Sequence, residues 1–102
     1  MFPPIRPRFL FVCLENSKRS QMAEAFARIY GVGRLDALNA GSRPSGSVNP
    51  KAIEAMRHRH YDLTAHKSKS IDKLPAGDYT VVVTMGCGDV CPQVKATHHE
   101  DW

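Results

Sequence analysis

The stretch FLFVCLENSKRSQMAEAF, residues 9–26, runs an apolar segment into a cysteine, a short polar turn, an arginine, a serine and an amphipathic helix. Phe9 to Leu14 is rich in β formers, as expected of a buried strand. Met22, Phe26 and Ile29 then fall at i, i+4 and i+7, the spacing of a helix face, which Gly31 closes. Strand, turn and helix make one βα unit. Further along, LDALNAGS (Leu35 to Ser42) reads as a weaker strand, followed by the loop SRPSGS. Asn49 then caps and Pro50 opens a helix whose Ile53 and Met56 face inward. Ser70 with IDKL gives a short helical turn, and Pro75 to Asp78 is turn chemistry. TVVVTM (Thr80 to Met85) is apolar enough to lie inside a parallel sheet, and the tail VKATHHEDW reads as a fourth strand. Strands alternating with helices argue an α/β sheet with right-handed crossovers.

At 102 residues the chain is expected to be a single domain spanning residues 1–102. The run FLFVCL is too short for a signal sequence, and no stretch could span a bilayer, so a cytoplasmic protein without membrane contact is expected. Three cysteines cannot close a disulfide framework, which points instead to catalytic, redox or buried thiols. The net charge of +4 suits an anionic ligand. It is too small and dispersed for nucleic acid, and the chain has only one Trp, three Tyr and four Phe for stacking.

Ligands of α/β sheets sit beyond the carboxyl ends of the strands, where Cys13 lies. The amides of Leu14, Glu15, Asn16, Ser17, Lys18 and Arg19 can converge there on the positive end of the following helix, a ready oxyanion site. Arg19 offers a planar fork to two anion oxygens, and the same field favours a thiolate at Cys13. Ser20 is placed to donate its hydroxyl to the sulfur, and Asn16 to brace the loop. The bland alternative is a cysteine that merely ends a buried strand. The combination with Arg19, Ser20 and the helix start favours a nucleophile.

VCLENSKRSQMAEAFAR resembles the cysteine, five residues, arginine, serine loop of the low-molecular-weight protein tyrosine phosphatase superfamily. Three further stretches, AGSRPSGSVNPKAIEAM, DLTAHKSKSID and VVVTMGCGDVCP, make the likeness nearest to its thioredoxin-coupled arsenate reductases. The resemblance implies a four-stranded parallel sheet flanked by helices; no cofactor and no metal are expected here, although some family members bind potassium beside the loop. It also implies a relay in which Cys13 attacks arsenate, Cys87 attacks Cys13 as arsenite leaves, and Cys91 attacks Cys87. A thioredoxin-like dithiol protein would then reopen the Cys87 to Cys91 disulfide. Two further readings stay beside it: a cysteine phosphatase acting on phosphate esters, and a non-catalytic oxyanion-binding relative. For the cysteine pair the alternative is a zinc site using Cys87, Cys91, His98 and His99.

The chain departs from the pattern in places. Lys18 stands where many relatives carry another cysteine, and reads as a solvated side chain. Three residues separate Cys87 from Cys91, fewer than in some relatives. Lys67 and Lys69 fall near where potassium ligands would be wanted, which argues against a bound cation. His66, before Lys67, is placed to orient the loop but reads more readily as a hydrogen-bonded structural residue, and His58 and His60 read as the solvated end of a helix. The general-acid loop and C-terminal helix of the family are not expected within these residues, with Asp89 and Asp101 as weak substitutes for the acid. Self-association through a sheet face left bare by that helix is a corresponding expectation.

Overall fold

The computed structural model describes residues 6–15, 18–75, 79–85 and 94–102. The opening stretch forms β1 (Arg8–Cys13) and α1 (Arg19–Tyr30); β2 (Asp36–Gly41) and α2 (Pro50–Arg57) follow. Two 3-10 turns, Leu63–Ala65 and Ile71–Lys73, lead to β3 (Tyr79–Met85), and the tail supplies β4 (Ala96–Asp101). The strands are parallel in the order β2-β1-β3-β4. This is the four-stranded parallel α/β sheet that the sequence implied, with strand ends shifted by one or two residues.

β1 lies between two parallel partners, Phe11 opposite Asn39 on one side and Val83 on the other. It is thus interior to the sheet, and packing on both of its faces accounts for its unbroken apolar run. Leu10 and Val12 pack on one face with Ala40 and Val82, and Ile71 and Leu74 of the second 3-10 turn close over them. Phe11 and Cys13 lie on the other face with Val83 and Met85, against Ala23 and Ala27 of α1. Leu10 is fully buried, so its truncation to alanine costs about 2–5 kcal/mol.

The apolar stripe of α1 turns away from the sheet. Met22, Phe26 and Ile29 pack with Ala52 and Met56 of α2 and with Leu63, making α1 the middle layer between sheet and α2. Its sheet side is correspondingly small or polar, and Ser20, Gln21 and Glu24 are buried there. α1 ends at Gly31, where a Cβ would stand 2.7 Å from the Ala27 carbonyl and 2.8 Å from Leu35, so a side chain is excluded by contact. α2 runs out into exposed His58 and His60, the latter in the left-handed region at φ 60°.

Candidate functional site

Parallel register brings three strand ends to one line. Cys13 is abreast of Gly41 on β2 and Met85 on β3, at the carboxyl edge of the sheet. The chain leaves this edge through Leu14 and Glu15, whose carbonyls are taken by neighbouring segments. Arg43 N donates to Leu14 O at 2.7 Å, and Ser45 N and Ser68 Oγ donate to Glu15 O at 2.9 and 3.1 Å. Both carbonyls are thus committed away from an incoming anion. Asn16 and Ser17 lie outside the described residues. Lys18 is the N-cap of α1 and makes no side-chain capping bond, and Arg19 opens the helix with an exposed side chain.

Cys13 is buried, and its Sγ lies 2.9 Å from Ser20 Oγ, itself fully buried in the first turn of α1. The hydroxyl is the stronger donor, so a thiolate at Cys13 would accept its proton in a charge-assisted bond. A sulfur held at a strand end beside a helix amino terminus, with a hydroxyl donor on one side and an arginine at the helix start, can attack an electrophilic oxyanion.

Behind this edge sits a buried polar cluster that the apolar pattern did not reveal. Asn39 Nδ2 donates to Glu24 Oε1 at 2.7 Å and to Gln21 Oε1 at 3.1 Å. Glu24 Oε2 accepts from Arg28 Nε at 3.0 Å. The available signal was Asn39 itself, a lone amide among the apolar residues that follow Asp36 in β2. Lys69 Nζ donates to Asn39 Oδ1 at 2.9 Å and approaches Lys67 O at 3.3 Å, so an ammonium stands on these oxygens. Burial lowers the Lys69 pKa, with Glu24 opposing and Arg28 reinforcing. His66 is hydrogen bonded on both ring nitrogens, to Gln21 and to Tyr61.

Cys87, Cys91 and Asp89 lie outside the described residues. His98 pairs with Glu100 at 2.8 Å, and His99 Nε2 lies 2.7 Å from Val94 O. As consecutive residues of β4 they point to opposite faces, which speaks against both joining one zinc ion. Among the described residues no group of three or more His, Cys, Asp or Glu could hold a metal. Asp101 is engaged by Thr84 Oγ1 at 2.6 Å, next to Cys13's partner Met85 and so on the sheet face opposite the sulfur. A cleft of about 480 Å³ lies away from this chemistry, at the amino ends of β1 and β2 among Arg6, Arg8 and Arg28.

The low molecular weight phosphotyrosine protein phosphatase family matches residues 8–100, nearly the whole described sheet and its helices. The chain belongs to this family. Within it, the chain is similar to proteins named as arsenate reductases. The glutaredoxin arsenate reductase of a Synechocystis species is 39% identical over 98 residues, covering 93% of this chain and 74% of the relative. A solved arsenate reductase in its phosphate-binding state superimposes with a TM-score of 0.83 at 38% identity, over 94% of this chain and 75% of that one. A thioredoxin-dependent arsenate reductase of Corynebacterium glutamicum gives a TM-score of 0.79 at 33% identity over 95% of this chain. The chain spans about half of that protein, 49% of its length.

Proposed function

We propose that this member of the family is an arsenate reductase, with Cys13 as nucleophile, Arg19 and the amides of residues 14–20 as the oxyanion cradle, and Cys87 and Cys91 as the resolving pair. The observation that carries the reading is the register of β1 and β3 together with the 2.9 Å contact between Cys13 and Ser20. Met85 stands abreast of Cys13 and Cys87 follows it by two residues in the sequence, which supports the reading of Cys87 as the thiol that attacks Cys13. A phosphatase needs no thiol at that position.

The Cys13 thiolate displaces a hydroxyl from arsenate as water, forming an S–As bond. The Cys87 thiolate then attacks the Cys13 sulfur; an S–S bond forms, the S–As pair stays on arsenic, and arsenite leaves. Cys91 attacks Cys87 and releases Cys13, leaving a Cys87 to Cys91 disulfide that an external dithiol reduces by exchange. Each turnover consumes two thiols of the donor. Ser20 stabilises Cys13 as attacking and as leaving thiolate, and Arg19 neutralises the oxyanion.

The donor is proposed to be a thioredoxin-like dithiol protein. Related proteins carry both glutaredoxin and thioredoxin in their names. Such a donor works in a reducing compartment, and we place the protein in the cytoplasm. Among the described residues no helix is long and apolar enough to cross a membrane. Arsenite production from arsenate with reduced thioredoxin, and separately with glutaredoxin and glutathione, tests the function and identifies the donor. Hydrolysis of an aryl phosphate without arsenate reduction by either donor would return the chain to the phosphatase reading.

A further inference from the structure

Among the described residues β4 is an outer strand of the sheet, with β3 on one side only. All but the first of its residues, ATHHED, are exposed. Trp102 N donates to Thr84 O at 2.7 Å, and the register sets His98 beside Val81 and Glu100 beside Val83. A strand residue turns its N–H and C=O to one side, and its two neighbours turn theirs to the other. His98, Glu100 and Trp102 therefore bond to β3, while Thr97, His99 and Asp101 direct their backbone groups away from the sheet. β4 contains no proline and no lysine, and its register with β3 runs without a bulge. Of the devices that blunt an open edge, only charged and polar side chains are present.

Those side chains exclude an apolar strand but complement their own order reversed. In an antiparallel pair centred on His99, the outward groups of Thr97, His99 and Asp101 meet those of Asp101, His99 and Thr97 in a second copy, and all are used. Cross-strand neighbours then place Glu100 opposite His98 and Asp101 opposite Thr97, so each carboxylate faces a donor. A copy displaced by two residues one way sets Glu100 against Glu100, and displaced the other way sets it against Ala96. A carboxylate accepts several bonds, so the contacts of Glu100 with His98 at 2.8 Å and of Asp101 with Thr84 at 2.6 Å persist in the pair.

We propose that β4 is the pairing edge of a homodimer, in which two copies join antiparallel about His99 and their sheets become continuous. The contact is isologous, and backbone bonds at the edge hold it rather than apolar packing of a sheet face. The two halves run in opposite directions, so the carboxyl edges that carry Cys13 point to opposite sides and stay open. A single strand pair is a small interface of the weak class, and its assembly belongs to concentrations of roughly 0.1–1 mM.

Sedimentation of the purified protein between about 0.01 and 1 mM is the test. A reversible equilibrium of monomer and dimer is expected. Amide exchange at Thr97, His99 and Asp101 should slow as concentration rises, with that of His98 and Glu100 constant. His99→Pro removes an N–H that the fold does not use, a change an edge strand tolerates, and is expected to abolish the dimer with the circular dichroism spectrum unchanged. His98→Glu sets like charges against each other twice and should weaken dimerisation about tenfold. Combining His98→Glu with Glu100→His restores the opposition and should recover it. A monomer throughout the range would overturn the proposal and leave the edge to a strand of another protein. A dimer that survives His99→Pro would overturn it by placing the contact at another surface. Failure of the double exchange to recover what His98→Glu loses would exclude the pairing about His99.

Discussion

The two helices of this molecule begin in opposite ways. α2 starts at Asn49, whose side chain accepts from Lys51 N at 2.8 Å, with Pro50 in the first helical position. Its end is closed by its own residues, as a structural helix requires. α1 starts at Lys18, with no side-chain cap and no acidic residue in its first turn. A helix start that receives an anion leaves the place of the capping oxygen to the ligand. The stability that α2 obtains locally, α1 obtains from Gln21 through residues distant in sequence, Asn39 and His66.

The most severe break in this contrast is Cys13→Ser, expected to lower arsenite production by about a thousandfold or more. A variant keeping a tenth of the rate would show that the chemistry lies elsewhere. Lys18→Asp would give α1 the oxygen that α2 already has. It is expected to weaken phosphate protection of Cys13 about tenfold by placing a negative charge beside the anion. Stability should stay level or rise by up to about 1 kcal/mol. Denaturant titration and alkylation kinetics on the same sample would expose the opposed signs. Asn49→Ala should do the reverse, costing about 1 kcal/mol of unfolding free energy with turnover unchanged. Trp102, the single tryptophan, has its ring 6.1 Å from that of buried Phe11 and supplies the fluorescence signal. The smallest effect concerns pH. Because the folded state depresses the His66 pKa, the stability linked to it is fully present above the unfolded value of about 6.5 and is lost as pH falls through the folded value. Urea midpoints at pH 7.5 and 5 should fall less in His66→Asn than in wild type.

Periodicity and turn chemistry sufficed for the four strands, the two helices and the turn at Ile71–Lys73, while the turn at Leu63–Ala65 went unread. The runs at 9–14 and 80–85, the Asn49–Pro50 start and the stop at Gly31 each carry a local physical cause that survives folding. The Cys13, Arg19, Ser20 spacing likewise predicted the sulfur and hydroxyl contact. The pattern could not show which layer an apolar stripe meets: Met22, Phe26 and Ile29 serve α2, while the sheet receives polar Gln21 and Glu24. Burial of an amide or carboxylate depends on partners far along the chain, such as Asn39 for Glu24 and Lys67 for Gln21, and no local rule announces them. The cation question was legible only as a clash of charges. In the structure the Lys69 ammonium stands 2.9 Å from the Asn39 oxygen.

The strand order β2-β1-β3-β4 also sets a schedule for synthesis. β1 precedes both of its partners in the chain, so the apolar segment Phe9–Cys13 leaves the ribosome long before it can be covered on both sides. Phe9 gains Ala37 on β2 first and Val81 on β3 only after a further stretch of translation. At roughly 5–20 residues per second that wait lasts several seconds, during which one edge of β1 can pair with another nascent chain. Slowed translation between α2 and β3 would therefore lower the soluble yield of this protein while leaving the folded molecules unchanged.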